Sequence, residues 1–451
     1  MNTPICDFVR TYSGRNPVRF HMPGHKGRPV DSAPDRMLIY ASDITEVDGA
    51  DVLYAARGCI RESEEHAGSL FGSARTLYST EGSSLCIRAM LYLAAMDAKL
   101  QGRSPRIAAG RNAHRVFLET VALLDLDVEW LGSDGNLLRA EISTEELECL
   151  FADPLTAPTA VYITSPDYLG NRTDLRQIAA LCRRYDALLL VDNAHGAYLK
   201  FLENSEHPLD RGADLCCDSA HKTLPVLTGG AYLHAARNCP AELRGMMERA
   251  MALFAGPSPS WLILQSMDAC NALLDADYPA RIRERAGELD GVKQKLLKQG
   301  WELTGDEPLK LTLCPKSRGY TGTELAGILQ EKGIICEFSD PDYVVLMVTP
   351  ENTGEELECL LTALRDLPER VPIMIQAPVM GRTVPVLRPH EVLFRPFERV
   401  PAEESVGRIL ASPSVSCPPA VPIIRCGERI DEKALELFRY YGIDSCDVVK
   451  E

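Results

Sequence analysis

The chain has 451 residues, too many for one ordinary hydrophobic core, so two or three domains are expected. Its 45% hydrophobic and 25% charged residues are those of a globular protein in water. A formal net charge of −16, from 48 basic and 64 acidic residues, excludes the basic footprint that a nucleic acid or an anionic membrane requires, and suits a cationic small molecule as well as plain solubility.

Fifteen cysteines run from Cys6 to Cys446. An odd number cannot all pair, and no CxxC spacing offers a metal-ligand pair, so they read as reduced, mostly buried apolar residues, with no metal expected. The N-terminal MNTPICDFVR has no apolar signal region, and no apolar run approaches the length of a membrane span. A soluble cytoplasmic protein is expected.

Residues 1–40 are rich in turn formers and read as an irregular arm around FHMPGHKGR. From about 60 to 240, helical patterns alternate with short apolar strands. SSLCIRAMLYLAAMDAKL (83–100) is helical, with Ser83 or Ser84 as its N-cap. TAVYITS (159–165) and ALLLVD (187–192) are strands on either side of DLRQIAALCRRY (174–185), a helix that Asp174 can cap. Near-continuous apolar strands between amphipathic helices indicate βαβ units and a mostly parallel sheet. ARIRERAGELDGVKQKLLKQG (280–300) is a long polar helix suited to joining domains. PLKLTLCP, TELAGILQEKG and YVVLMVTP repeat strand–helix–strand on a smaller scale, before the proline-rich SPSVSCPPAVPIIRCGE (412–428).

In an open parallel sheet, ligands collect beyond the carboxyl ends of the strands. Three groups fall there. In YSTEGSSL (78–85), Gly82, Ser83 and Ser84 lead into a helix, where backbone N–H groups, the helix dipole and hydroxyls make an anion site. Serine is also the commonest structural N-cap. Asp192 ends the strand ALLLVD. A carboxylate there needs a cationic or hydrogen-bonding partner, unless it simply shapes the turn that holds His195 and Gly196. Lys222 follows Ser219 and His221 in DSAHKTLPVLTGG, ahead of an apolar stretch that can close off water. A Schiff-base lysine must lose its proton, which desolvation or a neighbouring cation assists, although most lysines are solvated surface groups. His114, in GRNAHRVF, can stack on a flat ring or serve structurally. In this order, a hydroxyl-rich helix start, a histidine, a strand-end aspartate and a lysine are the inventory that pyridoxal 5′-phosphate (PLP) requires.

The sequence resembles the Orn/Lys/Arg decarboxylases, PLP-dependent enzymes of fold type I, in their short bacterial form. The resemblance runs over nearly the whole chain. FHMPGHKG (20–27), DITEVDGADVLY (43–54), GSARTLYSTEGSS (72–84), RNAHRVF (111–117), TSPDYLGNRTDL (164–175), VDNAHGAY (191–198), DSAHKTLPVLTGGAYLH (218–234) and CPPAVPIIRCGE (417–428) carry it. The family's long forms begin with a flavodoxin-like wing domain, for which this chain leaves no room before His21.

The resemblance implies an α/β fold like that of aspartate aminotransferase. An arm (1–40) would precede a large PLP-binding domain with a mostly parallel sheet (41–280), a small α/β domain (281–370) and a decarboxylase tail domain (371–451). Lys222 would take the aldehyde of PLP. Gly82, Ser83, Ser84, Ser219 and His221 would surround the phosphate. His114 would stack on the ring, Asp192 would pair with the ring nitrogen, and His195 would sit at the ring's edge. Lys222, His114 and Asp192 are the implied catalytic residues. Glu428, in the CGE of the tail, is either the acidic partner of a basic substrate side chain or a solvated surface residue.

The implied reaction is decarboxylation of a basic amino acid, arginine before lysine or ornithine, in a cytoplasmic homodimer or larger homo-oligomer serving polyamine biosynthesis. Two departures from the family pattern bear on substrate identity. Pro418-Pro419-Ala420 stands where a Pro-Pro-Gly is usual, and Gly229-Gly230 stands where a glutamine often precedes the small residues. Another PLP-dependent reaction, such as an aminotransferase, aldolase or lyase, is the alternative. A non-catalytic regulatory relative is a third reading, opposed by the intact Lys222, Asp192 and His114.

Overall fold

The computed structural model describes residues 1–28, 38–132, 140–379, 383, 385–417 and 421–450. The chain divides into two compact units, one of residues 1–93 and 190–280, the other of residues 94–189 and 281–451. The main sheet has seven strands: β1 (Arg75–Ser79), β2 (Arg106–Gly110), β3 (Asp127–Leu131), β4 (Ala160–Thr164), β5 (Leu188–Asp192), β6 (Leu215–Asp218) and β7 (Ala231–Ala235). Their order is β1-β7-β6-β5-β4-β2-β3.

In the first unit, β5 and β6 are parallel, while β7 runs antiparallel to both β6 and β1. In the second, β2 is parallel to β3 and to β4. The sheet is therefore mostly parallel, as expected, with β7 reversed. Every residue of β5, β6 and β7 is buried, which is what a strand covered on both faces demands.

Two local expectations change. The arm contains a helix, Pro4–Gly14, that its turn-forming composition concealed. Pro4 opens it, Ile5 and Val9 are buried one turn apart, and the Cys6 N–H donates to Asp268 Oδ2 at 3.0 Å. Ser83 and Ser84 do not cap their helix, which begins at Gly82. Gly82 turns in at φ +71°, and the Glu81 N–H is already taken by Ser79 Oγ at 3.1 Å, so both serines fall inside the first turn. Asp174 does cap its helix, Leu175–Arg184, accepting from the Arg176 N–H at 3.2 Å.

The second unit adds β8 (Leu303–Thr304), β9 (Lys310–Leu313), β10 (Phe338–Ser339) and β11 (Val344–Met347), in the order β10-β11-β9-β8. All three pairings are antiparallel, so the smaller strand–helix–strand segment does not repeat the parallel plan. Leu311, Leu313, Val344 and Trp301 form its core with Leu325 and Leu360 from the helices Gly322–Glu331 and Gly354–Arg365. The tail pairs β12 (Phe397–Pro401) with β15 (Ser445–Val449), and β13 (Ser414–Cys417) with β14 (Val421–Arg425). The fourteen described cysteines are all free. No described helix is long and apolar enough to cross a membrane.

One buried acid in the first unit makes stability depend on pH. Glu64, in the helix Cys59–Phe71, is buried and accepts from the Tyr78 N–H at 3.0 Å. Burial pushes its carboxyl up from 4.5 to about 8. Between those values the folded state holds a proton that the unfolded chain releases, so stability falls as pH rises through this window. Glu64→Gln is expected to remove that decline, a difference on the order of 2–4 kcal/mol between pH 5 and 9 in urea denaturation. An unchanged slope would mean that Glu64 ionises normally.

Candidate active site

β5 and β6 lie side by side with Asp192 opposite Cys217, so the turns that follow them open at the same end of the sheet. One turn carries His195, the other Ser219, His221 and Lys222. Ser219 Oγ donates to Ser83 Oγ at 2.8 Å, bringing the hydroxyl turn and the lysine motif together across 136 residues. Close by, the Gly82 N–H donates to Gly229 O at 2.7 Å.

Glycine is required on the Gly229 side of this contact. Gly229 sits at φ +100°, and a Cβ on it would stand 2.9 Å from Thr80 O. A Cβ on Gly230 would stand 2.3 Å from Val226 Cγ1. The Gly-Gly departure thus serves a close backbone approach. Beside Gly82 the space is open, and Ser84 lies half-buried in the same helical turn.

Lys222 Nζ lies 3.1 Å from His195 Nε2. Thr223 and Leu224 beside it are buried, whereas Leu227 and Thr228 are exposed, so only part of the apolar stretch is out of water. His221 is tied to Gly230 O through its backbone N–H, at 3.2 Å, and through Nδ1, at 2.9 Å. Burial and the neighbouring Lys222 push its imidazole pKa down, and a phosphate facing Nε2 would oppose that shift. Asp192 is buried, and its Oδ1 accepts from the Ala194 N–H at 3.2 Å and from the Cys217 thiol at 3.6 Å. The Ala194 contact shapes the turn, one of the two readings that the sequence left open.

His114 belongs to the second unit. Its Nδ1 accepts from the Val116 N–H at 3.2 Å and caps the helix Arg115–Leu124, which leaves the ring half-buried. Glu428, also in that unit, is 1% exposed and so is no solvated surface group. Its Oε1 accepts from Arg425 Nε at 2.8 Å and from Nη2, and its Oε2 from the Arg425 N–H at 2.9 Å. Burial pushes the carboxyl up, but the Arg425 charge and hydrogen bonds outweigh it and hold the group below its usual range. The Arg425 guanidinium stacks over Trp130 at 4.4 Å from the ring centre. The pair lines a cavity of about 760 Å³ together with Arg111, Trp130 and Thr383. Pro418-Pro419-Ala420 lies outside the described residues.

Sequence reasoning passed over Arg425 here, and in the first unit Asn193, His207, Asp218 and His234. Asn193 and Asp218 each adjoin a residue it had singled out, and that adjacency was the available signal.

The donor set of the first unit fits an aldehyde cofactor with a phosphate. Two hydroxyls and a helix start beside open space suit the anion, a half-buried lysine suits the aldehyde, and a buried carboxylate suits a protonated ring nitrogen. A family model described as "Orn/Lys/Arg decarboxylase, major domain" matches residues 3–304. The chain belongs to the Orn/Lys/Arg decarboxylases.

This decarboxylase is 28% identical to an arginine decarboxylase of Halalkalibacterium halodurans, over 97% of its own length and 93% of the relative's. The arginine decarboxylase of Bacillus subtilis is 26% identical, over 96% and 92% of the two chains. Among solved structures, the lysine decarboxylase of Francisella novicida superposes with a TM-score of 0.79 at 16% identity, covering 99% of this chain and 81% of that one. The constitutive lysine decarboxylase of Escherichia coli gives 0.77 at 18%, covering 100% and 82%. At such identities these structures bear on the fold alone, which is the fold-type-I architecture expected from the sequence. The enzyme is a carboxy-lyase, and its cofactor is PLP.

Removing one partner of a buried ion pair strands the other charge. Arg425→Leu is therefore expected to cost this decarboxylase ~3–5 kcal/mol in urea denaturation, with Arg425→Leu/Glu428→Gln recovering most of it. Equal losses in the single and double variants would show that Arg425 contributes through packing on Trp130 instead.

Proposed function

We propose that this decarboxylase releases carbon dioxide from a basic amino acid, arginine ahead of lysine and ornithine, leaving the corresponding amine. The observation that carries the reading is the meeting of Ser219 with Ser83, three residues before a lysine held against His195. The arginine decarboxylases among its relatives support arginine as the first substrate to offer.

Bound PLP supplies an aldehyde for the substrate amine and a ring that accepts the electrons left when the carboxylate departs. The chain's own residues do the rest. The N–H groups at the start of the helix Gly82–Leu100, with the Ser83, Ser84 and Ser219 hydroxyls and His221, would hold the phosphate. Asp192, held away from water, would pair with the ring nitrogen and favour a proton there. Lys222 would hold the aldehyde, and its amino group, 3.1 Å from His195 Nε2, would be placed to carry a proton. His195 would orient Lys222, and His114 is the residue proposed to stack on the ring and to serve as a second proton carrier.

Glu428 is the proposed acceptor for the cationic tip of the substrate. In that role it must share or exchange Arg425, because both its oxygens already take hydrogen bonds from that residue. We place this work in residues 41–280 and the tail 371–451, in a cytoplasmic homodimer that supplies amines to polyamine biosynthesis.

The test is carbon dioxide release by the PLP-loaded protein, offered arginine, lysine and ornithine in parallel. Release from arginine is expected to be fastest and to fall by at least about a thousandfold in Lys222→Ala. Full activity in that variant would overturn the assignment of the lysine. Silence toward all three amino acids would overturn the substrate class.

A further inference from the structure

Asp218 stands between the two turns of the site and has no part in the roles given above. It ends β6 one residue before Ser219, and its side chain is wholly buried. Oδ1 accepts from Asn193 Nδ2 at 2.7 Å. Oδ2 accepts from His207 Nε2 at 2.9 Å and lies 3.3 Å from His234 Nε2. Behind His234, Nδ1 meets Thr76 Oγ1 at 2.8 Å, and that hydroxyl is 2.7 Å from Ser73 Oγ. The carboxylate is thus anchored from behind by β1, by β7 and by the turn at His207. Burial pushes its pKa up, but His207 and His234 outweigh burial and hold it well below the usual range, so it stays ionised. Cys216 lies beside the cluster with its thiol pushed well up by burial and adds no charge.

Asn193 is buried as completely. Its backbone N–H donates to Cys217 O at 2.9 Å, extending the ladder between β5 and β6 by one residue. Its amide oxygen has no hydrogen-bond partner among the described residues. A Cβ on Gly196 would stand 2.0 Å from that oxygen, so the absent side chain at 196 is what lets the amide fit. With an ionised carboxylate in front of it, the amide can face only one way, NH2 forward.

We propose that Asp218 and Asn193 are positioning residues: their hydrogen bond straps the turn 192–196 to the turn 219–222 and so sets the spacing of His195 and Lys222 at which the cofactor is captured. This rests on the reading of Lys222 given above. A hydrogen bond to an ionised acceptor is stronger than one between neutral groups, and a site that captures a rigid cofactor loses affinity when its parts shift by about 0.5 Å. The strap acts through Asp192, His195 and Lys222, and touches neither cofactor nor substrate.

The test compares two variants of the full-length protein. Asn193→Ala cuts the strap; Thr76→Val cuts the same buried network at its far end, on β1. The readouts are the PLP dissociation constant and the visible absorbance per bound PLP, from equilibrium titration, together with thermal unfolding. Asn193→Ala is expected to raise the dissociation constant about tenfold and to lower the absorbance per bound PLP. Thr76→Val is expected to lower the melting temperature while the dissociation constant stays within about twofold. A dissociation constant in Asn193→Ala within about twofold of the parent, or equal weakening by both variants, would overturn the strap. If Asn193→Ala does not fold, Asp218→Asn, which keeps the shape, must show the same tenfold weakening or the proposal fails. Lys222→Ala measured alongside keeps the two readings apart, because PLP that stays covalently attached to that variant after borohydride reduction refutes the lysine assignment itself.

Discussion

Parallel pairing of β5 with β6, in the register that sets Asp192 opposite Cys217, places two chain reversals at one end of the sheet. Each reversal carries polar groups that neither strand could hold in its buried interior. Asp192 and His195 come from the first; Ser219, His221 and Lys222 come from the second. β7 then turns back antiparallel, and the Gly229–Gly230 turn before it reaches the helix start at Gly82. A helix terminus, two hydroxyls and a lysine meet because three neighbouring strands stop where they do.

The molecule buries carboxyl groups in three different ways, and the difference lies in their donors. Asp218 has an amide and two imidazoles around it and remains charged. Glu428 has a guanidinium that reaches it through two nitrogens, and also remains charged. Glu64 has one backbone N–H, which is too little to offset desolvation, and it keeps its proton into the neutral range. Burial opposes the charge in all three, and the number and charge of the donors decide which way each group is shifted.

Much of the main sheet was legible in the sequence because its signals are local. Unbroken apolar runs gave β4 and β5, whose observed ends, Ala160–Thr164 and Leu188–Asp192, fall within one residue of the segments read. Ser219 and Lys222 stood out because a short motif held them together. What escaped was set by pairing across space. Alternating apolar residues do not say which way a neighbouring strand runs, so the antiparallel sheet around β9 was read only as strand–helix–strand. The helix Pro4–Gly14 buries only Pro4, Ile5 and Val9, too thin a stripe to outweigh the turn formers around it. Arg425 and Glu428 are three residues apart in a segment that is not helical, where that spacing carries no expectation of contact. His207 and Asp218 meet only after the chain between them has folded back, which no local pattern records.

On the site proposed above, the contact between Ser83 and Ser219 also governs when, during synthesis, the protein would become able to hold its cofactor. Its two halves are separated by 136 residues, and β1 finds its partner only when β7, Ala231–Ala235, has been made. Closing so long a loop is slow, and none of the contacts within the loop substitutes for it. A nascent chain that has already formed the helix Gly82–Leu100 still lacks Ser219, Lys222 and the glycine turn. On that site, cofactor capture would come only after β7 has been made, and would mark a completed sheet rather than a partly built one.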